Sequence, residues 1–325
     1  MKNAANLAYN VLMIFVALAV TVYYATVYLH PPHALNCPEM QINSDEITRQ
    51  YAQFEKDLTR ATDLWNAETP AAFRELAGFL DNPHPYVRLR AATSLWEFDD
   101  PAIREALISR FPVEEEPLIK ISIAGDLGLL REKRAIPMIQ PLLNSADAGI
   151  AAQAAYSLGL IGDDSAAGAI AELLQSKEYS VREKAARSLG MLANPDSLGP
   201  LKAALDAEKY PELCVLLKSA LLESGDNSYE ADVRAAVGDA KIITWVRAWA
   251  ARTLAKRGDA EAAQALLGML VSPEFFHGAY MLWRQLYPDI PEIKLHSSET
   301  FPGEVKRIAR WIAENKFDGK LKPPE

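Results

Sequence analysis

The chain has 325 residues, half of them hydrophobic, with a formal net charge of -9 at pH 7 and two cysteines. A pI of about 5.2 excludes the broad basic footprint of a general nucleic-acid binder. Cys37 and Cys214 stand too far apart in sequence to suggest a disulfide framework, while the apolar half of the composition is enough for a continuous core.

After a short N-terminal segment (1–6), residues 7–29 read LAYNVLMIFVALAVTVYYATVYL without a charge. As a helix, with its rise of ~1.5 Å per residue, such a run reaches ~35 Å and crosses a hydrocarbon core of ~30 Å. Tyr23, Tyr24 and Tyr28 gather at its far end, where a ring can stay apolar and a hydroxyl wet, and Pro31 and Pro32 stop the helix. A cleaved signal would have a shorter apolar region ending in small residues. Tyr and Val occupy that exit here, and Asn36 before Cys37 disfavours a lipoprotein signal, so the run predicts a retained transmembrane anchor. Lys2 precedes it, and no Lys or Arg follows until Arg49, with Glu39, Asp45 and Glu46 between. That bias predicts a cytoplasmic N-terminus and the rest of the chain outside, which in a bacterial inner membrane means the periplasm. Ala17, Ala19 and Ala25 offer a small-residue face to another membrane helix.

Residues 30–43 form a Pro-containing linker. Over 44–69 a capping helix is expected: Ser44 as N-cap, Asp45 and Glu46 in the first turn, and Ile47, Tyr51, Phe54, Leu58, Ala61 and Trp65 along one side. From 70 to 270 a unit recurs. Leu95, Leu127, Leu158, Leu189, Leu221 and Leu254 follow one another at 32, 31, 31, 32 and 33 residues. A fixed period of this size marks stacked helix pairs, not one globular core. In the clearest unit Ala167, Ile170, Leu173 and Leu174 line the first helix. Ser180 is placed to cap the second, where Val181, Ala185, Ala186 and Leu189 share a face. Gly159, Gly162 and Gly190 are read as helix-end glycines, and Asp163, Asp196 and Asp259 as caps. Leu213, Leu216 and Leu217 make the 211–224 helix unusually apolar, which predicts a packing contact, either with the chain's own C-terminus or with a partner. After Leu270 the period fails, and 271–325 reads as a C-terminal helical cap, built from EFFHGAYMLWRQLYP and from Val305, Ile308, Ala309 and Ile312, followed by a tail.

The unit resembles the HEAT family, and more closely its short, bilin-lyase-type variety. The pattern is Val-Arg-x-x-Ala-Ala-x-x-Leu-Gly, met by Val181, Arg182, Ala185, Ala186, Leu189 and Gly190. It returns at Val87, Arg88, Ala91, Ala92, Leu95 with Trp96, and at Val246, Arg247, Ala250, Ala251, Leu254 with Ala255; Gly162–Asp163 and Gly258–Asp259 match its turn. The resemblance implies an all-α chain: an α-solenoid of about six hairpins whose second helices line a concave, protein-binding face.

Seven residues before the anchor leucines stand Arg88, Lys120, Arg182 and Arg247, read either as an internal ladder bonded to neighbouring turns or as a strip for an acidic partner. Arg90, Tyr156, Lys184, Arg187, Trp249 and Arg252 point away from the buried stripe and are the candidate partner contacts, being of types that dominate interface energies. His30, His33 and Cys37 lack the four spaced ligands of a structural zinc site, and no haem-attachment pattern occurs. His277 and His296 sit in aromatic or loop surroundings; Asp99–Asp100 and Asp163–Asp164 fall at helix junctions, where capping accounts for them. No motif for nucleophilic, phosphate-binding or metal-assisted chemistry appears, so no catalytic residue, metal or cofactor is assigned and a non-enzymatic chain is expected. The sequence thus predicts a membrane-tethered scaffold, held in the bilayer through 7–29 and serving other proteins of an envelope complex as an accessory or assembly subunit. The alternative, suggested by the repeat type, is a bilin lyase-like or other cofactor-handling assembly enzyme.

Overall fold

The computed structural model describes residues 44–67, 69–270, 276–287 and 301–316. The expected anchor 7–29, the linker with His30, His33 and Cys37, His296 and the C-terminal tail lie outside these residues, as does the side chain of His277. Among the described residues no helix is long and apolar enough to cross a membrane, and no strand occurs. The chain divides into two compact units, 1–53 and 54–325. Of the first, only the opening turns of α1 (Ser44–Ala67) are described.

In chain order the second unit continues α1 from Phe54 and then runs α2 (Pro70–Gly78), α3 (Pro85–Ala92), α4 (Pro101–Val113), α5 (Pro117–Leu129), α6 (Ile136–Ile139), α7 (Ala148–Ile161), α8 (Ala167–Glu172), α9 (Tyr179–Leu192), α10 (Leu198–Ala207), α11 (Pro211–Glu223), α12 (Glu230–Gly238), α13 (Thr244–Lys256), α14 (Ala260–Met269), α15 (Phe276–Leu286) and α16 (Phe301–Lys316). Even-numbered helices from α2 to α14 open each pair and odd-numbered ones close it. Successive second helices pack on each other from α3 through to α15. The array therefore extends one pair beyond the sequence period: α15 lies on α13 and α14 as α13 lies on α11 and α12, making seven pairs among the described residues instead of six. Large aromatics replace the leucine–alanine signature there, and so hide the repeat from a period search. The stretch read as a cap thus begins with a further unit.

Local chemistry explains the boundaries. Pro70, Pro85, Pro101, Pro117 and Pro211 begin helices, where the missing N–H costs nothing. Pro141, lacking a donor, ends α6 after one turn, and the chain continues as a 3₁₀ segment, Gln140–Asn144. Asp163 and Asp259 cap as expected, but Asn194, not Asp196, accepts the N–H at the next junction. Ser180 lies inside α9, whose N-cap is Glu178.

All six anchor leucines are at most 1 % exposed, and from Ala61 to Ala313 the buried apolar side chains form one nearly continuous core. Leu213, Leu216 and Leu217 belong to that core, so their packing contact is within the chain and not with a partner. From Phe54 onward α1 covers the first pair: Ala61 and Leu64 are buried, Arg60 forks onto Glu75 through Nε and Nη2, each at 2.8 Å, and Asn82 donates to Asp57 at 2.8 Å. Gly162 does take a left-handed conformation, but Gly159 and Gly190 lie within helices. Gly159 serves close approach instead. A Cβ there would meet Met191 Cε and Ser188 Cα and Cβ at 2.7 Å, because α7 and α9 cross at this point. Gly159→Ala is expected to push the two helices apart and lower stability by about 1–3 kcal/mol, read as faster hydrogen exchange in α7 and α9. Unchanged exchange would remove the close-packing argument.

Candidate functional site on the inner helices

The basic ladder is internal. Arg88 forks onto buried Glu114 (2.9 and 3.0 Å) and donates to the carbonyls of Asn82 and Pro83. Arg182 repeats this with Glu208 at 2.9 Å and with the carbonyls of Ser176 and Lys177. Lys120 donates to the Glu114 carbonyl at 3.1 Å, and Arg247 to that of Val237 at 3.0 Å. These cations tie each second helix to the turn before it and present no strip to an acidic partner.

Five of the six candidate contacts come together; Arg90 stands apart, over the Trp65 ring at 4.3 Å. Tyr156 of α7 carries two cations against its ring, Lys184 Nζ at 4.6 Å and the Arg187 guanidinium at 4.7 Å, both from α9. Arg187 also lies 4.5 Å from the Trp249 ring and 5.4 Å from Trp245, both on α13, which is two units further along. Arg252 stacks on Trp249 at 4.8 Å. From α15, Gln285 donates to the Tyr156 hydroxyl at 3.2 Å, as does Arg187 Nη2. Non-neighbouring units thus meet along the inner side of the second helices. Arg284 over Trp96 at 5.1 Å adds a contact of the same kind.

This arrangement corrects the expected exposure. Trp249 and Arg252 are 1 % and 3 % exposed, not surface residues, because residues from other units close over them. Sequence reasoning also missed Trp245, Glu183, Glu223 and Gln285. Trp245 is four residues before Trp249 on the same helix, a spacing that was open to reading; Gln285 came from a stretch where no period remained. Arg252 is held by Glu223 Oε1 at 2.7 Å; Thr253 donates to the same oxygen at 2.7 Å, and Lys256 reaches Oε2 at 3.2 Å. Burial, then repulsion from Arg187, lowers the Lys184 ammonium to about 8, against the attraction of Glu183. The site therefore combines π-faces, an excess of cations and an amine that titrates near neutrality. Its surplus positive charge favours an anionic group. No cluster of three or more metal-ligating side chains occurs among the described residues.

The family model for HEAT repeats matches residues 74–157 and 139–213, and that for the PBS lyase HEAT-like repeat matches 246–272. No curated protein sequence matches the chain. Among solved structures, a chain of the complex of CpcE and CpcF of phycocyanin lyase from Nostoc sp. PCC7120 is 17% identical with a TM-score of 0.54, covering 72% of this chain and 93% of that one. A second similar structure, human deoxyhypusine hydroxylase, is 13% identical with a TM-score of 0.30 over 70% of this chain and 89% of that one. The likeness to the lyase chain is one of fold. The expectation of a non-enzymatic chain is corrected: residues 246–272 match the PBS lyase kind of repeat and a chain of a phycocyanin lyase complex has a similar fold, so a missing catalytic motif does not set this chain apart from enzymes. The segments 74–157 and 139–213 are HEAT repeats, and 246–272 is a HEAT-like repeat of the PBS lyase kind, in an all-helical solenoid.

Proposed function

We propose that this chain is a lyase-type HEAT-repeat subunit that acts, with a protein partner, on a linear tetrapyrrole or on the protein that carries one. The observation that carries the reading is the inner cluster of Tyr156, Lys184, Arg187, Trp245, Trp249 and Arg252, whose aromatic faces and surplus positive charge suit a flat conjugated molecule with acidic side arms. The lyase kind of repeat supports it, and the similar fold comes from a two-protein complex. A partner would find apolar footing at the turns between first and second helices, where Tyr86, Val113, Leu118, Tyr210 and Ile243 are exposed. Mixing the full-length protein with biliverdin should shift and sharpen the long-wavelength absorption band, with saturation at one equivalent. A spectrum equal to that of the free pigment would sink the proposal.

The tether belongs to the same proposal: residues 7–29 hold the array at a membrane, outside the cytoplasm, near membrane-bound partners, and raise its effective concentration there. Deleting residues 1–30 should move the protein from the membrane fraction to the soluble one. Retention of the shortened chain at the membrane would count against anchoring through this run.

A further inference from the structure

The inner cluster is short of negative charge and, around Trp249, of hydrogen-bond acceptors; at its other end Gln285 Oε1 is a buried acceptor without a donor. Lys184 and Arg187 share one carboxylate, Glu183, at 4.0 and 2.7 Å. Arg252 and Lys256 share another, Glu223, at 2.7 and 3.2 Å. Four cations thus face two anions, in a chain whose total charge is strongly negative. Arg187 and Arg252 both lie against the Trp249 ring. Around that ring three N–H donors have no hydrogen-bond partner in the protein: Arg187 Nε, Arg252 Nε and Trp249 Nε1. Two of the three residues are almost sealed from solvent. Leaving a buried donor unmatched disfavours a fold by roughly 1–3 kcal/mol, so three in one place call for an explanation. The ladder pairs show what a fully satisfied site looks like in this chain: around Glu114, every guanidinium fork is met by carboxylate or carbonyl oxygens.

We infer that the inner face between α9 and α13 is a receptor for the carboxylate of a flat conjugated ligand, seated at Arg187 and Arg252 against the edge of Trp249. One carboxylate relieves both deficits, because its two oxygens accept from the orphaned N–H groups and its charge offsets one of the two surplus cations. The conjugated part then lies toward Tyr156 and Trp245, the partly exposed side, where the Lys184 side chain is 27 % accessible and gives the way in. Arg252 and Trp249 form the closed end. The inference deepens the tetrapyrrole reading, but its evidence is the orphaned donors and the charge imbalance, which stand without it.

Calorimetric titration of the full-length protein with two matched pairs of probes separates the two ideas: 2-naphthoate against 2-naphthamide, and biliverdin against its dimethyl ester. Each acid is expected to bind at least tenfold more tightly than its neutral partner, about 1.4 kcal/mol. Arg187→Gln should abolish that preference and Arg187→Lys restore part of it. Arg90 lies outside the cluster, over Trp65, so Arg90→Gln should leave the preference unchanged, and Arg187→Lys is the variant that reads the site if Arg187→Gln unfolds. Equal binding of acid and neutral partner in both pairs overturns the receptor, even if biliverdin binds. Selective binding of 2-naphthoate with no binding of biliverdin upholds the receptor and ends the tetrapyrrole reading. No binding of any probe overturns both.

Discussion

Glu114→Ala is expected to destabilise the first two units by about 3–5 kcal/mol, the cost of leaving a buried charge without its partner. The Glu114 side chain is fully buried, and Arg88, its main partner, is 11 % accessible. Arg110 also lands on Oε2, at 2.8 and 3.0 Å, and Oε1 accepts the Glu116 N–H at 3.0 Å. Burial alone would raise this carboxyl. The Arg88 fork, the Glu116 N–H and Arg110 together outweigh burial and hold it at about 2. A carboxyl lowered in the folded state stabilises at all pH values above its unfolded pKa, and the contribution is lost as pH falls from about 4.5 toward 2. The deficit of the variant should therefore be full at pH 7 and smaller at pH 3. Repeat arrays open in pieces, so the measurement is hydrogen exchange of α3 and α5, not a global melt. A deficit that is the same at both pH values would show that the loss is one of packing, not of charge.

Lys184→Met has the opposite sign. Its ammonium is desolvated and pressed by Arg187, and the folded protein holds it at about 8, well below the ordinary lysine value of 10.5. Between these values the unfolded chain binds more protons than the folded one, so this group makes stability rise with pH across that window. At pH 7 the charge is a liability. Removing it should stabilise the protein by about 1–2 kcal/mol, after discounting partial solvent access and the lost contact with the Tyr156 ring. The gain should shrink as pH rises from 8 to 10.5, where the native lysine sheds its proton unaided. Denaturant titrations of both proteins at pH 7 and pH 9.5 test this; a variant weaker than the parent at pH 7 would refute it. A buried cation that costs stability is the kind of feature retained for binding, which is why Lys184 belongs with the inner site and not with the ladder.

The repeat was legible because stacking depends on local, periodic chemistry. Leu95 and its successors recur at a near-constant spacing, and each needs only its neighbours to be buried. The ladder was half legible for the same reason: Arg88 and Arg182 recur in register, but the glutamates that receive them, 26 residues on, were not picked out. Helix-end glycines were legible only where the backbone itself turns left-handed, as at Gly162. Gly159 is glycine because another helix passes 2.7 Å from where its Cβ would be, a fact that belongs to α9 as much as to α7.

By itself, then, the sequence determined the helix pairs, their order and the core stripe, since burial by the next unit along follows from period and side-chain type. Only the tertiary structure decided what the inner residues do. The meeting of Tyr156 with Gln285, 129 residues away, and of Arg187 with Trp249 depends on how small rotations add up over several units. No spacing between neighbours encodes that sum. It turned residues expected on an open surface into a closed cluster with unmatched donors, which is the feature on which the functional proposal rests.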